Sequence, residues 1–339
     1  AWAEAVHAVI ASHARDLDMA IPSGAQLLLD RDHVSRTSIS QHDLVLTLEK
    51  LFLSMPTLGD APAHWEGVSP ELMALRERLA KDSTAQSDAL AGIDAMIEGL
   101  ARFTTASQAL VRRLANLVRL TETLFEEMDF GFLFDSTRKL FSIGYRVHDN
   151  SLDPSCYDLL ASEARLTSFI AIAKGDVPSS HWFHLGRALT PVDRGSALVS
   201  WSGSMFEYLM PMLVMRTPSE SLLGQTCLFV VRRQRKYGVE RGVPWGVSES
   251  AYIARDLELT YQYSNFGVPG LGLKRGLSED VVVTPYATAL AAMIDPKAAA
   301  KNFLRLADAG ASGRYGFYEA LDYTASRLPA NQAVGVVRA

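Results

Sequence analysis

At Met128 the chain changes character, and that change limits its folds more than any other feature. Up to this point glycine and aromatic residues are sparse and apolar residues recur at helical spacing, which predicts helices over residues 2–18, 41–53, 70–81, 86–103 and 106–128. Ser69-Pro70-Glu71 has the form of a helix start, with a hydroxyl cap, proline at the first helical position and an acidic first turn. Leu110, Leu114, Leu117, Val118 and Leu124 fall on one stripe of the last helix, the pattern of core packing. Nothing in residues 1–127 points to chemistry, so this part is read as an N-terminal helical region and 128–339 as the part that carries function.

From Asp129 to Thr324 short strand-like pieces alternate with strong helices. Residues 130–134 and 140–145 flank a turn and predict a β-hairpin, and 182–185 with 197–201 predict a second. Asp153-Pro154, Thr217-Pro218, Thr284-Pro285 and Asp295-Pro296 each place a capping residue before proline. They predict helices over 154–174, 205–216, 218–237, 285–294 and 296–309, several closed by Gly175, Gly238 and Gly310. Some of these helices are apolar nearly all round, the mark of inner members of a layered assembly. The expected fold is therefore mainly α, an α/α toroid with short β-hairpin excursions, with a pair of helical bundles as the alternative.

Composition removes several functions. A chain of 339 residues that is 48% hydrophobic and 21% charged is globular, and a net charge of -5 speaks against general nucleic-acid binding. The longest apolar run, 166–173, is broken by Ser168 and ends at Lys174, too short to span a membrane. The chain opens on Ala1-Trp2 with no signal pattern, so it is expected to be a piece of something longer. Cys156 and Cys227 read as small buried hydrophobes within helices. No phosphate-binding loop, zinc-spaced His/Cys cluster or GxSxG motif occurs, and His181 and His184 are expected to flank a strand. The loop 267–272 contains proline and lacks a preceding strand, and Arg232, Arg233, Arg235 and Lys236 read as a solvated helix end. No metal or organic cofactor is implied.

Five carboxylates stand out. Glu249 lies between Ser248 and Ser250 with Trp245 and Tyr252 on either side, and aromatic faces beside an acid suit a site that stacks sugar rings and protonates a glycosidic oxygen. The competing reading has Glu249 capping a helix that begins near Ser248. Glu319 and Asp322, three apart among tyrosines, would share a helix face, as sugar ligands or as an acidic first turn. Glu207 completes a capping box with Ser204. Glu163 sits in an apolar helical pattern where Arg165 is not its face neighbour, so it needs a wet cavity to be tolerated.

At these same places the sequence resembles the central glycoamylase-like domain of bacterial cyclic β-1,2-glucan synthases. The matching pieces are MDFGFLFDSTRKLFSIGYRV (128–147), YDLLASEARLTSFIAIAKGD (157–176), WSGSMFEYLMP (201–211), GVPWGVSESAY (242–252), YQYSNFGVPGLGLKRGL (261–277), PYATALAAMIDP (285–296) and GRYGFYEALDYT (313–324). The resemblance implies an (α/α)6 toroid related to endo-β-1,2-glucanases. The family continues past the position of Ala339 into another helix, so the toroid is expected to be incomplete.

It further implies a soluble cytoplasmic domain of a multi-pass inner-membrane protein, beside a glycosyltransferase domain using UDP-glucose and a phosphorylase-like domain. The implied reaction is cyclisation of linear β-1,2-glucan by transglycosylation, with hydrolysis of the same glucan or mere glucan binding as rivals. A β-linked chain closed into a β-linked ring keeps its anomeric configuration, which requires two carboxylates in succession. Carried over from the family, Glu249 is the general acid/base and Glu163 the nucleophile, with Glu207 and Glu319 in reserve or holding sugar. Trp201, Trp245, Tyr252, Tyr263, Phe266, Arg314, Tyr315 and Tyr318 are implied to line the glucan cleft.

Overall fold

A computed structural model of the chain describes residues 2–20, 57, 59–81 and 87–338. Its contacts divide it into two compact units, Ala1–Met128 and Asp129–Ala339. Helix predominates over strand, and the strands are short.

The first unit contains α1 (Trp2–Ala20), α2 (Ala61–Ala80) and α3 (Ser87–Glu127). The helix predicted over 41–53 lies outside the described residues. Helix α2 begins nine residues before the predicted start and carries Pro70 in its interior. The reason is periodic: Ala61, Trp65 and Val68 continue the buried stripe of Leu72, Leu75 and Leu79 backwards at alternating spacings of four and three. Burial of that stripe, its first part against Met96, Leu100 and Phe103 and its last against Ile93, offsets the cost of an exposed interior proline, about 3 kcal/mol.

The break expected between 103 and 106 is absent: the helix runs through, with the hydroxyls of Thr104 and Thr105 donating back to the carbonyls of Leu100 and Ala101. The predicted core stripe of α3 is corrected too: Leu114, Leu117, Val118 and Leu124 are exposed. At 1.5 Å per residue α2 is roughly 30 Å long and α3 roughly 60 Å, so α2 covers only the N-terminal half of α3.

The second unit opens with a three-stranded sheet of β1 (Phe134–Asp135), β2 (Leu140–Ser142) and, beyond the small pair β3 (Tyr145–Arg146) and β4 (Ser151–Leu152), β5 (Cys156–Tyr157). Cys156 is thus in a strand. The helix predicted from 154 is only α4 (Arg165–Lys174), closed by Gly175 at φ 86° as expected. His181 and His184 lie in α5 (Ser180–His184) rather than beside a strand. His181 is buried between Lys139 O and Ser168 Oγ, both at 2.8 Å, which pins the β1–β2 turn to α4. The second hairpin is β6 (Leu189–Val192) with β7 (Gly195–Leu198), displaced from the predicted segments.

Next come α6 (Met205–Leu209), half its predicted length, and α7 (Leu222–Arg241). Helix α7 is capped by Ser221, not by the Thr217-Pro218 pair, and ends at Gly242 rather than Gly238. Gly238 serves contact instead, since a Cβ there would lie 2.8 Å from that of Trp245. The remaining elements are β8 (Ser250–Arg255), β9 (Tyr261–Ser264), β10 (Val282–Val283), α8 (Pro285–Ala291), α9 (Pro296–Leu306), the small hairpin β11 (Ser312–Gly313) with β12 (Gly316–Phe317), β13 (Ala320–Asp322) and β14 (Gly335–Val337). Asp295-Pro296 opens α9 as predicted, with Asp295 accepting from the Ala298 N–H at 3.0 Å. Strand β13 is central in the antiparallel order β10-β13-β14. One apolar core joins the hairpin β6–β7, helices α6 to α9 and this sheet. Among the described residues no helix is long and apolar enough to cross a membrane.

Candidate active site

The segment before α6 crosses 267–272 backbone to backbone. A Cβ on Gly267 would lie 1.8 Å from Ser202 O, and one on Gly272 2.4 Å from Ser202 C, so only glycine fits at either place. The crossing is fixed by Ser200 N–H to Leu271 O at 3.0 Å and Val268 N–H to Gly203 O at 3.1 Å. It curls residues 200–204 around the carboxylate of Glu207. That carboxylate accepts from the hydroxyls of Ser200 (2.9 Å), Ser202 (2.7 Å) and Ser204 (3.0 Å) and from the N–H groups of Ser202 and Ser204, both at 2.9 Å. The predicted capping box is present and is part of this larger cage.

Glu163 stands in the turn that leads into α4 rather than inside a helix, and Ser162 Oγ donates to it at 3.3 Å. Its carboxyl is pushed up by burial above all, and the negative charge of Glu207 adds to the effect. The turn is held against α6 by Arg165, a buried guanidinium that donates to Ser162 O (3.0 Å), Glu207 O (2.9 Å) and Tyr208 O (2.6 Å). A cation opening an apolar helix was the available sequence signal for this role. Tyr157, also missed, has its phenol pushed up by burial and by the charge of Glu163.

Glu249 caps no helix; it precedes strand β8. Its carboxyl is pushed up to about 7, first by burial and then by the charges of Glu163 and Glu207. Among the described residues no hydrogen bond to its carboxylate is recorded. Its backbone, in contrast, is fixed. Tyr286 Oη donates to Glu249 O at 2.7 Å and lies 2.8 Å from Ser248 Oγ, which in turn accepts the Phe206 N–H at 3.0 Å. Ser248 therefore ties the segment of Glu249 to the helix of Glu207. Tyr286 was missed, although it stands in the quoted piece 285–296.

Glu319 and Asp322 do not share a helix face, because 320–322 is strand β13. Glu319 accepts from the Ala251 N–H at 3.4 Å, next to Glu249. Tyr263, on the strand paired with β8, is 63% exposed, and its phenol is pushed up by its partial desolvation and by the charges of Glu249 and Glu319. The structure thus brings Glu163, Glu207, Glu249, Glu319, Tyr263 and Tyr286 into one electrostatically coupled group. Asp322 is fully buried and paired with Arg327, whose guanidinium also lies 4.8 Å from the Tyr252 ring and 5.6 Å from that of Phe266.

The expected cleft residues divide. Trp201 and Tyr263 are exposed, and Tyr252 is half-buried. Trp245 and Phe266 are each 4% exposed and belong to the core behind the site. Arg314 and Tyr315 form the tip of the β11–β12 hairpin, the guanidinium 5.3 Å over the ring, with no recorded hydrogen bond to the carboxylates. Tyr318 folds over Gly313, with Arg338 5.2 Å above its ring. Among the described residues no group of three or more His, Cys, Asp or Glu is placed to hold a metal ion.

Residues 155–336 match the family Glycoamylase, described as "Putative glucoamylase". The chain is similar to "Cyclic beta-(1,2)-glucan synthase NdvB" of Rhizobium meliloti (strain 1021), 56% identical over 233 residues, which is 69% of this chain and 8% of that protein. This chain therefore spans less than a tenth of the curated relative it matches. Among solved structures it is similar to an endo-beta-1,2-glucanase from Talaromyces funiculosus in complex with sophorose. There the identity is 14% and the TM-score 0.47, over 77% of this chain and 52% of that one.

Proposed function

The chain belongs to the glycoamylase family, and we propose that it is a carbohydrate-active domain that cyclises linear β-1,2-glucan by anomer-retaining transglycosylation. The observation that carries the reading is the 56% identity to a cyclic β-(1,2)-glucan synthase over 233 residues, beside a family match over residues 155–336 that includes the four glutamates. The chemistry of the site supports it. A carboxyl pushed up to about 7 keeps its proton near neutrality and can give it to a leaving sugar oxygen, which suits Glu249 as general acid. In a coupled pair the proton rests on the group with the higher affinity and leaves the other ionised. Glu163, with Ser162 Oγ on its carboxylate, is then the nucleophile.

In the first step Glu163 attacks the anomeric carbon while Glu249 protonates the departing glycosidic oxygen, giving a glycosyl-enzyme ester. In the second, Glu249 as carboxylate takes the proton of a 2-hydroxyl from the far end of the same chain. That oxygen displaces Glu163 and closes the ring. Trp201, Tyr263 and Tyr252 supply ring faces near the carboxylates, while Glu319 offers a carboxylate to sugar hydroxyls. Trp245 and Phe266 support these from behind. Arg314, Tyr315 and Tyr318 are proposed to reach the glucan farther along. The (α/α)6 toroid belongs to the same reading. So does a place in a multi-pass inner-membrane synthase, as a cytoplasmic domain beside glycosyltransferase and phosphorylase-like domains.

The test is mass spectrometry of linear β-1,2-glucan incubated with this chain and with its Glu249→Gln variant. Products lighter by one water than linear glucan of the same length are expected, at a rate reduced about 10²–10⁴-fold in the variant. Shorter linear products alone would make the domain a hydrolase with water as acceptor. Unchanged glucan beside a folded protein would leave only glucan binding.

A further inference from the structure

A cavity of about 450 Å³ opens between α7 and α9 with none of the four glutamates in its lining, and five cations line it: Arg232, Arg235, Lys236, Lys301 and Arg305. Their side chains are exposed, and their spacing is mildly unfavourable without a counter-charge. Arg232 with Lys236, and Lys301 with Arg305, are like-charged pairs four residues apart on their helices, an arrangement that destabilises a helix. The acids at hand are too few. Asp295 pairs with Arg235 at 2.7 Å and Asp193 with Lys236 at 3.1 Å, whereas Glu240 is taken by Arg233 at 2.9 Å. Arg305 donates to Val243 O at 3.3 Å. Among the described residues no ion pair is recorded for Arg232 or Lys301.

Compensation of the helix dipole explains Arg305 in the last turn of α9. It does not explain Arg232 and Lys301, which stand in the middle of their helices, in a chain whose net charge is -5. Arg232 is also oriented, its guanidinium 5.6 Å over the Phe229 ring. The floor is rigid: Asn302 accepts from Trp245 N–H at 3.1 Å and donates to Trp245 O at 2.8 Å.

We propose that this cavity is a binding site for a small phosphate-bearing molecule, its phosphoryl oxygens held by Arg232 and Lys301 with Arg305 completing the ring of donors. Guanidinium and ammonium groups around a rigid floor suit a compact dianion. The volume exceeds that of a bare phosphate and lies in the range of small organic ligands. The proposal is independent of the carboxylate chemistry.

Isothermal titration of the chain with inorganic phosphate and with glucose 6-phosphate in about 0.15 M NaCl tests it. Saturable binding is expected for at least one of them, with Kd below about 1 mM. Tighter binding of the sugar phosphate would mean that the cavity also holds the organic part, and equal binding that phosphate alone is recognised. Arg232→Gln with Lys301→Gln should weaken binding at least about tenfold. Arg112→Gln on α3 should leave it unchanged. Melting curves keep the result interpretable, because removing mutually repelling charges should not lower the melting temperature, and Lys301→Glu offers a second, single-site check. No saturation by either probe at about 20 mM, or titrations that the double variant leaves unaltered, would overturn the proposal.

Discussion

The cage around Glu207 and the segment ending in Glu249 are joined at Ser248, yet they treat a carboxylate taken from water in opposite ways. Around Glu207 three hydroxyls and two N–H groups donate to the two oxygens. At Glu249 the backbone is fastened by Tyr286 while burial and two neighbouring negative charges work on a side chain with no recorded donor. A carboxylate that accepts five hydrogen bonds from its own loop has its charge shared out within that loop. One whose discomfort is left unrelieved is ready to exchange a proton. Asp322 shows a third arrangement, in which the cation Arg327 balances a fully buried charge.

That third arrangement gives the largest expected effect on stability. Arg327→Gln would strand the charge of Asp322 inside the sheet and remove the cation that stands over Tyr252 and Phe266. Breaking a buried pair on one side costs about 3–5 kcal/mol, so urea unfolding should show a much lower midpoint for the second unit. An unchanged midpoint would mean that Asp322 is content without its partner, and the distinction between neutralised and unrelieved carboxylates would fail.

Glu207→Gln comes next. The amide keeps the volume but replaces one acceptor oxygen by a donor facing the hydroxyls of Ser200, Ser202 and Ser204. The loss is expected to be about 2–3 kcal/mol, read as a fall in melting temperature, with turnover per folded molecule affected much less than by Glu249→Gln. A variant that melts normally and has lost its activity would place Glu207 among the reacting groups instead.

What could be read beforehand followed the range of the forces involved. The Ser204–Glu207 box, the Asp295-Pro296 start and the Gly175 stop are settled within four residues, and each is where the sequence indicated. The outer serines of the cage were not legible, because Ser200 and Ser202 are turned inward by a crossing with glycines some sixty-five residues later. Glu163 was assigned to a helix on its apolar neighbours, but the chain spends those residues on strand β5 and a turn tied down by Arg165. Glu319 and Asp322 have helical spacing, yet pairing of 320–322 with Val283 and Val336 decides for strand. The stripe on α3 failed for a geometric reason, since periodicity shows that a face is apolar and not how long its partner is.

The smallest expected effect has the more unusual sign. In the folded chain the Glu249 carboxyl is pushed up to about 7, whereas in an unfolded chain a glutamate titrates near 4.3. Between these values the folded state binds more protons than the unfolded one, so stability from this group is fully present below the unfolded pKa and is lost as pH rises through 7. Glu249→Gln removes the penalty together with the acid. The variant should therefore melt above the parent at about pH 8, by roughly 1–2 kcal/mol after allowance for water that reaches a partly buried carboxyl, and should match it near pH 4, where the parent is protonated in both states. Equal melting at both pH values would show a carboxylate as well served as that of Glu207, and the contrast between the two places would be gone. A variant that is more stable and inactive would instead mark Glu249 as a residue kept at the expense of the fold, as groups held ready for chemistry commonly are.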